Sequence, residues 1–211
     1  MKNYATNQTS IRIWESIIEK LLFHRADIEC EENTMPEYYF DMETTGTDFD
    51  KDEIMTIQWQ ELDRFTGEPK SELNILKRWE SSEEEVIKTF HPNLTCNHWD
   101  FVFIGKNLFF DFCMLNERLK HFSLGEIDLR CLNERVSLDI KPILVIMNCG
   151  NFIGYDKVLP KTNPLTNDKI PQLFIEGRFP EIVQYIKDEA MDFIKAYQIF
   201  KKELPSLTKL L

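Results

Sequence analysis

The sequence has no apolar run approaching roughly eighteen residues, which excludes a predicted transmembrane helix and a membrane partner of that kind. Its first residues, MKNYATNQTSIRIWESIIEK, lack the apolar core of a signal peptide, so none is expected. Cysteine is scarce and scattered. Cys30, Cys96, Cys113, Cys131 and Cys149 are odd in number and form no Cys-x-x-Cys pair, which predicts a reduced, cytoplasmic protein. Cys96 and His98 in TCNHW have no second pair at zinc spacing. Internal repeats and low-complexity segments are absent. Positive charge is also short: 25 Lys and Arg against 36 Asp and Glu leave a net charge of −11. A chain this acidic is not expected to wrap duplex DNA by phosphate neutralisation alone. It remains compatible with a nucleic-acid enzyme, because carboxylates that gather divalent cations are themselves acidic and the cations carry positive charge to the phosphate.

What is present is enough for one sizeable core: 211 residues, 43% hydrophobic and 12% aromatic. Residues 11–29 place Ile13, Ile17 and Leu21 at helical spacing, and residues 30–37 are an acidic linker with Pro36. The expected organisation is a helical extension over 1–36, packed on a domain over 37–211. EYYFDMETTG opens that domain as an apolar, strand-like run. EIMTIQWQELD alternates Ile54, Thr56, Gln58 and Gln60 with Met55, Ile57, Trp59 and Glu61, which predicts a strand. RFTGEPK turns the chain and SELNILKRW returns it, making a three-stranded meander.

SSEEEVIKTF reads as a helix capped by Ser81 or Ser82, with Glu83 to Glu85 explained by the helix dipole. DFVFIG is a short buried strand, NLFFDFCMLNERLKHF a helix, and SLDIKPILVIMN a strand end running into a short helix. Residues 149–180 read mostly as loop with short helical pieces. Residues 180–204 form a long amphipathic helix with Ile182, Tyr185, Ile186, Ala190, Phe193 and Ile194 on its apolar stripe. Strands first, then alternating helices and strands, predict a mixed α/β sheet.

Asp41 and Glu43 lie two residues apart, so in a strand they project from the same face. Like charges placed together cost stability, and a hard divalent cation removes that cost. Taken alone, the pair is more simply a solvated strand-to-loop exit, since acidic residues are common at such ends. Gly46 in the following TTG permits a tight turn or a close backbone approach.

Together, DMETTG resembles the first motif of the DEDD exonuclease superfamily. The resemblance implies a second Asp on a helix after a short strand, and FIGKNLFFDFCML offers Asn107, Phe110, Asp111 and Leu115 in the family's order. It implies a third motif on the last helix, with Tyr or His before an Asp. QYIKDEAMDF departs from that pattern. Tyr185 precedes Glu189 at the tyrosine-type spacing, whereas Asp188 follows Gln184 and Asp192 follows Asp188. Asp188 and Glu189 both stand as the fourth acid, with Asp192 less favoured. Asp139, and NFIGYDKVL before the final helices, fit the same pattern. The arrangement is most similar to predicted archaeal and bacterial exonucleases related to the proofreading domain of family B DNA polymerases, over residues 37–204.

The resemblance implies a ribonuclease H-like α/β fold: a mixed five-stranded sheet, first three strands antiparallel, flanked by helices. It implies a 3′-5′ exonuclease that hydrolyses terminal phosphodiesters of single-stranded DNA or RNA by a two-metal mechanism. Asp41, Glu43, Asp111 and either Asp188 or Glu189 would hold two Mg²⁺ or Mn²⁺ ions. Tyr185 would orient the attacking water or act as general base. Phe40, Met42 and Phe110 would wedge against the terminal base. Thr44, Thr45, Lys106 and Asn107 would meet the sugar-phosphate of a single-stranded 3′ end. Two other readings stand beside it. One is a catalytically inactive module of the same fold that binds nucleic acid or a protein. The other is an acidic structural protein in which Asp41, Glu43 and Asp111 do not converge.

Overall fold

A computed structural model describes residues 35–95, 100–128, 137–147, 149–150 and 162–207. The expected helix over 11–29, residues 1–34 of the extension expected over 1–36, the Cys96–His98 pair and the NFIGYDKVL segment lie outside the described residues. Among those residues no helix is long and apolar enough to cross a membrane.

Five strands form one sheet in the order β3-β2-β1-β4-β5: β1 (Glu37–Thr44), β2 (Ile54–Leu62), β3 (Asn74–Lys77), β4 (Val102–Gly105) and β5 (Ser137–Asp139). The first three pair antiparallel, as the meander predicts, and β4 and β5 run parallel to β1. The helices are α1 (Glu83–Phe90), a single turn α2 (Pro92–Thr95), α3 (Leu108–His121), α4 (Ile140–Met147), α5 (Ile170–Ile175) and the long α6 (Phe179–Leu207).

Side-chain alternation on β1 divides the core. Phe40 and Met42 face α1 and α3, where Phe40 stacks on Phe90 and Phe112. Tyr39 faces α4 and α6, packing with Phe193, Ile140 and Tyr197. Burying this apolar surface on both faces is the main force that holds the layers together. Predicted alternation on β2 breaks at one place. The β1–β2 register slips between Glu43 and Thr44, so that Thr44 opposes Ile54 while Glu43 opposes Thr56. The extra residue, Met55, turns to the α5–α6 cluster, and Ile54 joins Ile57 in the opposite core.

α1 begins as predicted, with Ser82 accepting from the Glu85 amide at 3.2 Å. The dipole account of its acids fails at Glu83, which is 3% exposed. One of its oxygens accepts from the Ile54 amide at 2.8 Å and Arg118 grips both, at 2.8 and 2.6 Å. Glu83 is therefore a buried lock between α1, β2 and α3. Its neighbours Glu84 and Glu85 stay on the surface, paired with Lys88.

Candidate active site

β4 pairs only with the first half of β1, from Glu37↔Val102 to Tyr39↔Ile104. Continued, that register sets Lys106 abreast of Asp41, just where β4 has ended. Gly105 is what brings the two chains so close: a Cβ there would sit 2.7 Å from the Phe40 carbonyl oxygen. Beyond this point β1 runs on alone against β2. A cleft of about 490 Å³ opens at the carboxyl ends of the parallel strands, lined by Asp41, Glu43, Asp111, Glu189, Lys106 and Lys141 among others. Crevices of this kind are where open α/β sheets commonly bind ligands.

Asp41 and Glu43 point the same way, as two-residue spacing requires. α6 lies over that face, and Glu189 offers an oxygen that lies, with one each from Asp41 and Glu43, within 4.8 Å of the others. Asp111, one turn into α3 and buried, lines the same cleft. Electrostatics show the crowding. Burial first, then the Glu189 carboxylate, raise the Asp41 pKa from 3.8 to about 7, with Lys106 only partly offsetting them. Burial first, then Asp41, hold Asp111 well above the usual carboxylate range. Asp41 is kept in place by neutral donors: the Tyr39 hydroxyl and the Gln58 amide each donate to Oδ2 at 3.2 Å. Four hard oxygen-donor side chains whose mutual repulsion is built into the fold fit a divalent cation.

The other candidates of the third motif turn elsewhere. The segment 162–167 runs across α6 as a strap. The Thr162 amide and hydroxyl donate to the two oxygens of Asp192, each at 2.6 Å. Asp188 accepts from the Asn163 and Gln184 amides at 2.8 and 2.9 Å. The Tyr185 hydroxyl donates to Asn167 Oδ1, and its ring is 1% exposed in the α5–α6 core. The geometry thus brings Glu189 to Asp41 and Glu43. Asp188 goes to the strap, and Tyr185 reaches the cleft through Asn167, which lines it.

The expected substrate wall also divides. Met42, Thr44, Lys106, Asn107 and Phe110 line the cleft. Phe110 packs against Phe49 at 5.5 Å between ring centroids. Phe40, expected beside them, is fully buried in the core between Phe90 and Phe112, deeper along β1 than Met42, and does not line the cleft. Thr45 fastens the loop after β1 instead, donating to Asp52 at 3.0 Å and accepting from the Glu53 amide at 2.9 Å. That loop closes tightly over Gly46, where a Cβ would lie 2.3 Å from Asp52 Oδ2.

Sequence reasoning missed Tyr39, Gln58, Asn167 and Lys141. Gln58 carried a weak signal, as a polar residue within a buried strand, opposite Asp41. Lys141 carried none.

Structural comparison gives this architecture a name. The zinc-bound form of the Escherichia coli exonuclease I–ssDNA complex aligns over 84% of this chain and 43% of its own, at 13% identity and a TM-score of 0.55. A second exonuclease I structure, described as suggesting how processivity is achieved, aligns over the same shares at 13% identity and a TM-score of 0.53. The chain has the ribonuclease H-like fold. It spans less than half the length of those exonucleases. No family model and no curated sequence matches it.

Proposed function

We propose that this ribonuclease H-like chain is a divalent-metal-dependent 3′-5′ exonuclease, acting on single-stranded DNA or RNA. The kinship with proofreading-type exonucleases implied by the motif order is part of this reading. The observation that carries it is the meeting of Asp41, Glu43 and Glu189 within 4.8 Å. The Asp41 carboxylate stands close enough to Asp111 to help raise its pKa. The likeness to exonuclease I at the level of fold supports it.

Asp41, Glu43, Asp111 and Glu189 would hold two Mg²⁺ or Mn²⁺ ions. When bound, such ions lower the pKa of attacking water and neutralise charge on the phosphate and the departing 3′ oxygen. The chain's own residues supply position. Tyr39 and Gln58 both donate to Oδ2 of Asp41 and so fix the orientation of its carboxylate. Lys106, abreast of Asp41, tempers the acid field that an incoming phosphodiester meets. Met42 and Phe110 offer an apolar wall on which a terminal base of any identity can rest. Asn167, held by the Tyr185 hydroxyl, presents a fixed amide at the cleft edge.

The test is hydrolysis of end-labelled DNA and RNA oligonucleotides with Mg²⁺ and Mn²⁺, beside calorimetric titration of Mn²⁺. Mononucleotides should be released stepwise from the 3′ end. Asp41→Ala should lower the rate by about a hundredfold or more with the fold retained. Full activity of that variant sinks the site. Mn²⁺ binding without hydrolysis of any oligonucleotide would instead identify an inactive module.

A further inference from the structure

Two turns at the cleft are tied into one closed knot. The β4–α3 turn passes through Asn107, whose backbone is left-handed at φ 65°, a conformation that Asn tolerates better than most side chains. Its amide donates to Asp139 Oδ1 at 2.8 Å. The same oxygen accepts from the Lys141 amide at 2.9 Å. The Lys141 ammonium returns to donate to Asn107 Oδ1 at 2.6 Å. Because lysine can only donate, the atom facing it must be the amide oxygen, which fixes the orientation of the Asn107 side chain.

The consequence is a lysine held at a set place. Lys141 is half-buried and lines the cleft together with Lys106 and Asn107. This is a cationic edge on a cleft that carries five carboxylates, Asp41, Glu43, Asp111, Asp168 and Glu189, in a chain of net charge −11. An acid cluster repels a polyanion until cations occupy it. A fixed ammonium at the cleft's margin gives the strand a point of attraction that does not depend on those cations.

Resting on the exonuclease reading above, we propose that Lys141, positioned by Asn107, binds a non-scissile backbone phosphate of the nucleic-acid strand. The scissile phosphate goes to the carboxylate side. Lys141 holds a neighbouring one, and so fixes how far the strand enters. Lys141 is a binding residue and Asn107 a positioning residue acting through it.

Binding of a 5′-fluorescein oligothymidylate, with Ca²⁺ in place of Mg²⁺, is measured by anisotropy across a series of salt concentrations. Each phosphate neutralised on a single strand contributes about 0.7 to the slope of log K against log salt. Lys141→Met should lower the magnitude of that slope by about 0.7 and weaken binding. Lys141→Arg should retain the slope. Lys120→Met, on an exposed lysine paired with Glu117 at the far end of α3, should leave it unchanged. Asn107→Gly suits the left-handed backbone and removes only the amide. It should weaken binding about two- to tenfold with the slope preserved, since the charge stays but loses its hold.

A Lys141→Met protein that binds with the wild-type slope overturns the proposal and leaves the exonuclease reading standing. If Lys141→Met fails to fold, Asn107→Gly decides: unchanged affinity overturns the proposal. Wild-type protein that binds no oligonucleotide overturns both readings.

Discussion

Glu37 and Asp41 occupy the same face of β1, four residues apart, and meet opposite fates. At Glu37 one oxygen accepts from the Tyr197 hydroxyl at 2.6 Å and the other from the Lys201 ammonium at 2.7 Å. Lys201 also donates to the Arg64 carbonyl, tying α6 to the β2–β3 hairpin. Glu83 is treated likewise by Arg118. At Asp41 the held partners are neutral, and the charged group that most perturbs it is another carboxylate, Glu189. A buried acid given a cation of the chain's own serves the fold. Buried acids gathered against one another keep a need that only an outside cation meets.

The sharpest way to break that contrast is to compare neighbours on α6. Glu189→Gln should cut hydrolysis by about a hundred- to a thousandfold, whereas Asp188→Asn, which loosens only the strap, should stay within about twofold. Equal losses would place the strap inside the chemistry. Next in size is the paired end of the contrast. Glu83→Gln leaves Arg118 buried without its countercharge and should cost about 3–5 kcal/mol in urea unfolding.

The pH response should then separate the two kinds of acid. The Asp41 pKa is raised from 3.8 to about 7 in the folded chain. The folded state therefore binds the extra proton between those values. The stability this contributes is fully present below the unfolded pKa and is lost as pH rises through about 7. Metal-free protein should accordingly melt at a lower temperature at pH 8 than at pH 5. Mn²⁺, which takes the proton's place, should flatten or reverse the trend. A metal-free melting point that climbs over this range would contradict the crowding. The smallest effect is expected beyond Gly46. Asp48 is an exposed partner of Lys51 and Asp50 an exposed loop residue, so Asp48→Asn and Asp50→Asn should leave melting and hydrolysis unchanged.

Much of this was legible before any coordinates. Two-residue spacing put Asp41 and Glu43 on one face, and the turn at Gly67 and Pro69 returned the chain as a meander. FVFIG followed by Asn107 set Asp111 at the start of a helix. The misreadings have specific causes. Phe40 looked like a substrate wedge by nearness in sequence, but its place on β1 seats it inside the core against Phe90 and Phe112, while Met42, nearer the strand's end, lines the cleft. Glu83 looked like a dipole-favoured surface acid, because its partner Arg118 is 35 residues away. The bulge at Met55 overrode a clean alternation. Lys141 became part of the cleft only through the Asn107–Asp139 knot, which joins turns more than 30 residues apart.

Local sequence by itself determined which residues form strands and helices, and that one acidic pair ends the first strand. It could not sort the last helix. At 100° per residue, Tyr185, Asp188, Glu189 and Asp192 all fall within an arc of about 100°. A modest rotation of α6 would bring any of them over β1. Tertiary structure set that rotation, by seating Phe193, Ile194 and Tyr197 on one core and Ile182 and Ile186 on another. The strap then took Asp188 and Asp192, and Glu189 was left facing Asp41 and Glu43.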